Sequence, residues 1–174
     1  AVSSVRAGNV IGGGDWAKDR IIPDCIKAIE SNEPITIRHP QATRPWEHVL
    51  EPLSGYLLLG EKMWQDPARF SGAWNFGPEQ ESIVTVWEIA NKVVNDYGKG
   101  TIIDGSGSNV LHEAQLLSLD ITKAKRYLDW HPTLSLDETV QLTVDWYARY
   151  KSENVYNLCL NQIRQFSEKG SYHG

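Results

Sequence analysis

The sequence predicts a mixed α/β fold, richer in helix than in strand. Three observations carry this. Short β-branched runs recur along the chain, and stretches with apolar residues at helical spacing alternate with them. Two capping boxes, Thr85–Glu88 and Ser135–Glu138, mark helix starts, because each hydroxyl and each carboxylate can take up an otherwise unpaired backbone N–H. Gly77, Pro78 and Gly98 supply stops between elements.

Taken in order, residues 2–6 carry Val2 and Val5 and predict a short buried strand. GNVIGGGDW, residues 8–16, reads as a glycine-rich loop. Ile22, Ile26 and Ile29 predict a helix over 21–31, with Pro23 tolerated in the first turn. ITIR, 35–38, is a strand that Pro40 follows, and HPQATRPWE, 39–47, reads as a polar loop. A helix over 48–65 sets Val49, Leu53, Leu57 and Trp64 on one face. AWNF, 73–76, is a further short strand.

Thr85 then opens a helix striped by Val86, Ile89, Ala90, Val93, Val94 and Tyr97. TIID, 101–104, and LLSLD, 116–120, predict strands, and Asp120 can cap the helix after it. Ser135 opens a helix carrying Leu136, Val140, Val144 and Tyr147. In the tail, VYNLCLNQI fits helix or strand. No repeat or low-complexity linker divides the chain, so one unit is expected over 1–150, with 151–174 an unassigned tail.

The chain has 174 residues, 41% of them hydrophobic, with seven Trp and seven Tyr, enough to bury a core. The net charge of -5 and the lack of any basic segment argue against nucleic acid, which needs cations to displace counterions. Cys25 and Cys159 stand outside any CxxC or Cys/His cluster, which fits a reducing compartment better than a disulfide framework. No apolar run approaches the roughly 20 residues that cross a bilayer, and no signal peptide is visible. The chain opens at Ala1 on a strand running into a loop, as if in the middle of a fold. It is therefore expected to be a piece of a longer protein.

The glycines at 8, 12, 13 and 14 do not have the spacing of a dinucleotide fingerprint. They form a flexible turn or a loop that lets a ligand reach backbone amides. Arg38, His39, Arg44, Trp46 and His48 gather within 38–48. An Arg held by the following Pro45 can grip phosphate oxygens in a two-pronged contact. A solvated loop anchored by a tryptophan is the commoner origin of such a pair. His112 and Glu113 make either an acid–base or diol-binding couple or a plain surface pair. HExxH, GxSxG and P-loop patterns are missing, and no acidic cluster calls for a metal. Trp130, Trp146 and Tyr147 are expected in the core.

Four segments together resemble the extended short-chain dehydrogenase/reductase family, in particular its nucleotide-sugar dehydratases and epimerases. They are RAGNVIGGGDW (6–16), DRIIPDCIKAI (19–29), PITIRHPQATRPWEHVLEPLSGYLLL (34–59) and HEAQLLSLDITKAKRYLDWHPTLSLDETVQLTVDWY (112–147). GNVIGGGDW, RPWEHVLEP and HEA are most similar to the branch that takes CDP-glucose. The resemblance implies a C-terminal substrate-binding lobe plus the last part of a Rossmann-type NAD-binding fold. It implies NAD as cofactor, held mostly by a preceding half that carries the glycine fingerprint and a catalytic Tyr-x-x-x-Lys pair. No such pair stands near a suitable strand here, so no catalytic residue is expected in this chain.

The implied reaction is an internal redox elimination. Hydride leaves sugar C4 for NAD+, water is lost across C5 and C6, and the hydride returns to C6. By the same resemblance Asn9 contacts the sugar diphosphate and Arg44 the nucleotide phosphate or ribose. Arg20, with Ile22 and Pro23, lines the nucleotide side. Glu113 binds ribose with His112 beside it, and Ala7 and Val10 lie near the nicotinamide. Some relatives hold the second phosphate with an Arg a few residues before the ribose-binding acid, in the region where Val110 stands here. The intact enzyme is expected to be a cytoplasmic homodimer. A second class of function stays open: a stand-alone, non-catalytic module that binds nucleotide sugars or protein partners.

Overall fold

The computed structural model describes residues 1–107 and 117–171. The mixed α/β class is borne out. The strands are β1 (Ser3–Arg6), β2 (Asn9–Ile11), β3 (Ile35–Ile37), β4 (Thr43–His48), β5 (Gly72–Asn75), β6 (Ile83–Thr85) and β7 (Ile102–Asp104). The helices are α1 (Ile21–Ser31), α2 (Leu50–Gln65), α3 (Pro67–Phe70), α4 (Val86–Tyr97), α5 (Thr122–Leu128), α6 (Leu136–Arg149) and α7 (Val155–Ser171).

The described strands form three small sheets. β1 pairs with β5 in parallel, β3 with β7 in parallel, and β4 lies between parallel β2 and antiparallel β6. Both predicted capping boxes form, with Glu88 N–H on Thr85 at 3.1 Å and Glu138 N–H on Ser135 at 3.3 Å. Gly98 closes α4 in the left-handed conformation.

The larger core brings Ile22, Ile26 and Ile29 of α1 against Ile89, Ala90 and Val93 of α4 and Val140, Val144 and Tyr147 of α6. These are the predicted stripes, each turned inward. A smaller core gathers Leu59, Phe70, Trp74, Phe76, Leu128 and Trp130 around α2, β5 and α5. Trp130, Trp146 and Tyr147 are buried as expected.

Several expectations are corrected. β1 is a strand but not a buried one. Val2 is 81% exposed and Val5 is exposed too, because β5 covers only one edge of β1 among the described residues. The glycine-rich segment begins as β2, since Val10 and Ile11 extend and pair with β4 before the glycines turn. The expected loop 39–47 is irregular only at its start. Thr43–His48 is a strand, held by neighbours on both sides, and Pro45 is accommodated opposite Ile83 at the end of β6.

α2 forms where expected but turns the other way. Leu57 is 78% and Trp64 90% exposed, while Glu51, Pro52, Gly55 and Leu59 face inward. Gly55 explains this choice. The Phe76 ring lies against its Cα so closely that a Cβ there would overlap the ring. Leu117–Asp120 form no strand. Leu119 instead packs over Gly77, and the Asn75 side chain donates to the Asp120 carbonyl at 3.0 Å. Asp120 still caps the next turn, accepting Thr122 N–H at 2.8 Å. The ambiguous VYNLCLNQI is helical, part of α7. Leu158 is buried and Gln162 Nε2 donates to the Leu142 carbonyl at 2.7 Å. No described helix is long and apolar enough to cross a membrane.

Candidate functional site

A cavity of about 900 Å³ opens between two walls. The first is β2 with β4, in parallel register with Asn9 opposite Trp46. The second is the start of α1 with β3. Ile22, Ile35, Ile37 and Val86 line it with apolar surface, and Asn9, Arg20, Arg38 and Arg44 bring polar groups to the same space. A volume of this size, with apolar floor residues and convergent polar and charged groups, suits a ligand of nucleotide dimensions.

Each of the three arginines has a visible anchor. Arg44 Nη1 donates to the Thr43 carbonyl at 2.8 Å. Trp46 Nε1 donates to the Val84 carbonyl at 3.1 Å, which fixes the indole as part of the β4 wall. Arg20, the residue before α1, pairs with Asp15 at 3.4 Å. Arg38, just after β3, pairs with Asp19 at 2.7 Å. Asp19 sits at φ 62, in the left-handed region that non-glycine residues seldom enter.

The cavity therefore unites Asn9, Val10, Arg20 and Arg44, four of the residues singled out from sequence. Ala7 does not line it; it stands half-buried at the β1–β2 junction. His112, Glu113 and Val110 lie outside the described residues. The Tyr147-x-x-x-Lys151 spacing carries no catalytic pair. Tyr147 donates its hydroxyl to the Asp15 carbonyl at 2.6 Å, and burial pushes its pKa up to about 12. Lys151 pairs with Glu30.

Behind the β4 wall lies a group of which sequence reasoning singled out only His48. Glu47, His48 and Glu51 are almost wholly buried, and one side-chain atom of each (Glu47 Oε2, His48 Nε2, Glu51 Oε2) has no hydrogen-bond partner. Glu47 accepts the Gly8 N–H, tying β4 to the turn before Asn9. Gly8 is required there, because a Cβ would run into the Pro45 carbonyl. Glu51 accepts Thr133 N–H at 2.9 Å and Leu134 N–H at 2.6 Å, tying α2 to the segment before α6. Burial pushes the Glu47 carboxyl up to about 8 and the Glu51 carboxyl to about 7, and pushes His48 down to about 4. His48 Nδ1 accepts Leu50 N–H at 3.3 Å, so in the neutral ring Nε2 carries the proton. The only sequence signal was acids set among apolar residues.

The glycine turn has its own support. Gly13 packs directly on Trp146, and Trp16 meets Tyr147 and Tyr150 at ring distances of 5.2 and 5.3 Å. α6 thereby holds Asp15, and with it Arg20, at the cavity mouth.

No family model matches the chain. It is 49% identical over 149 residues to the CDP-glucose 4,6-dehydratase of Salmonella typhimurium, across 86% of this chain and 42% of that protein. The chain thus spans less than half the length of this curated relative. It superimposes on dTDP-glucose 4,6-dehydratase from Bacillus anthracis, in complex with NAD, at a TM-score of 0.69 and 20% identity, over 87% of this chain and 45% of that one. The values for UDP-glucuronic acid 4-epimerase from Bacillus cereus are 0.69, 20%, 84% and 45%. At these identities the structural likeness is one of fold. The resemblance to nucleotide-sugar dehydratases and epimerases is borne out.

Proposed function

We propose that the chain is the nucleotide-sugar-binding part of an NAD-dependent CDP-glucose 4,6-dehydratase, which converts CDP-glucose to CDP-4-keto-6-deoxyglucose and water. The observation that carries this reading is the 49% identity to a CDP-glucose 4,6-dehydratase over 86% of the chain. The shared cavity of Asn9, Arg20 and Arg44 supports it. In this reading residues 1–150 are the substrate lobe and 151–174 its tail.

Arg44 and Asn9 would hold the diphosphate, because guanidinium and amide N–H groups donate to its oxygens. Arg20 lies on the nucleotide side. His112 and Glu113 are proposed for the ribose on their sequence positions. NAD is the cofactor of the whole enzyme, with Ala7 and Val10 as its neighbours in this chain. The chain has no glycine fingerprint, and Ala7 stands off the cavity wall, so these residues do not build an NAD site by themselves. No redox step is assigned to them. The whole enzyme is proposed to be a cytoplasmic homodimer.

Calorimetric titration with CDP-glucose tests the reading. Binding is expected, and Arg44→Ala should weaken it about tenfold or more through loss of a charge-assisted hydrogen bond. No binding, or an unchanged affinity in Arg44→Ala, would overturn it.

A further inference from the structure

Two arginines on opposite walls of the cavity, Arg44 and Arg38, differ in their surroundings. Arg44 stands on the β2–β4 wall with Asn9. Arg38 stands across the cavity, after β3, against Asp19 at 2.7 Å. Both partners of this pair line the cavity, and their side chains are 66% and 75% exposed. Asp19 comes from a segment nineteen residues earlier and is held at φ 62. Asp is among the residues that tolerate that conformation best, but it still carries strain that glycine would not. An exposed ion pair offsets little of such a cost, since pairs of this kind are worth about 0–1 kcal/mol. The pair is thus exposed on the cavity wall and contributes little to the stability of the fold.

We propose that Asp19 and Arg38 read the base of the bound nucleotide and select cytosine over uracil. This rests on the nucleotide-sugar reading above. A nucleotide with its diphosphate on the Asn9–Arg44 wall extends its base across the apolar lining toward the opposite wall. There the pair offers a carboxylate, which only accepts, beside a guanidinium, which only donates. Cytosine presents the matching edge: its 4-amino group donates to Asp19, while N3 and O2 accept from Arg38. Carboxylates recognise the cytosine amino group in the same way elsewhere. Uracil presents O4 to the carboxylate, acceptor against acceptor, and turns an N3–H toward a group that cannot accept. Discrimination of this kind comes from the repelled partner as much as from the attracted one.

Calorimetry with CDP and UDP on the full chain tests this, using Asp19→Gly and Arg38→Ala. Glycine suits φ 62, so Asp19→Gly removes the carboxylate without disturbing the backbone, and its melting temperature should not fall. The unaltered chain should prefer CDP by about tenfold or more. Asp19→Gly should weaken CDP, strengthen UDP by removing the carboxylate that faces O4, and narrow the gap between the two. Arg38→Ala should weaken both, because both bases carry O2. Equal affinity for CDP and UDP in the unaltered chain, or a CDP preference undiminished in Asp19→Gly, would overturn base reading and leave the nucleotide-sugar site standing. If neither nucleotide binds, the proposed function falls and this inference with it.

Discussion

The α1–α4–α6 layer and the α2–β1 region obey the same sequence rules with opposite results. In the first, every apolar stripe faces inward: Ile22 and Ile26 meet Ile89, Val93 and Val140. In the second, the apolar residues that set the pattern, Val2, Leu53, Leu57 and Trp64, face out. Helical periodicity reports that a stripe exists, but not what covers it. α2 has apolar residues on two faces, and the smaller one wins because Gly55 alone admits the Phe76 ring. The outer face leaves Leu53, Leu57 and Trp64 exposed.

The comparison breaks if the two regions respond alike to truncation. Ile26→Ala should cost about 2–5 kcal/mol, the range for opening a cavity in a tight core. Leu57→Ala should stay within about 0.5 kcal/mol, as for exposed sites. Urea denaturation of both variants checks this, and a large loss at Leu57 would mean the outer face is covered in solution. The choice of face sharpens through Gly55→Ala, which should destabilise by about 1–3 kcal/mol because the new methyl overlaps Phe76.

The most gradual effect concerns pH and the group between the two regions. Glu47 and Glu51 keep their protons in the folded chain to about 8 and about 7, well above the ordinary carboxyl value of 4.5, because burial disfavours their charged forms. Their contribution is therefore full below pH 4.5 and is lost as pH rises through 7 and 8. His48 has the opposite window. Burial holds it neutral down to about 4, so its contribution is full above 6.5 and is lost as pH falls toward 4. The two carboxyl slopes outweigh the single opposing slope of His48, so on these three groups thermal stability should fall from about pH 4.5 upward. Each group contributes a slope of at most about 1.4 kcal/mol per pH unit. Glu47→Gln, neutral at every pH and able to accept the Gly8 N–H, should flatten the alkaline limb. An unchanged limb would show that Glu47 is not the group titrating.

What was legible in the sequence was local. The caps at Thr85 and Ser135 and the stripes of α1, α4 and α6 depend on residues three or four apart, and all of them form. Arg44 and Asn9 were legible as a pair only through resemblance, and β4 brings them to one cavity. The rest is set by partners far along the chain. β4 looked like a loop because Pro45 and its polar neighbours lack strand propensity, yet β2 and β6 impose extension from either side. Glu47 is buried because Gly8 offers it an N–H, and Asp19 meets Arg38 only once α1 and β3 have packed. No window of sequence contains these pairs.

The Tyr147 hydrogen bond to the Asp15 carbonyl spans 132 residues. Contacts of that length close late, since the entropy of bringing distant segments together must be met before they stabilise anything. Apart from Val86, the walls of the cavity come from the first 50 residues, but its mouth is held by the helix at 136–149. During synthesis the binding surface is thus written early and becomes competent late, when α6 leaves the ribosome and docks.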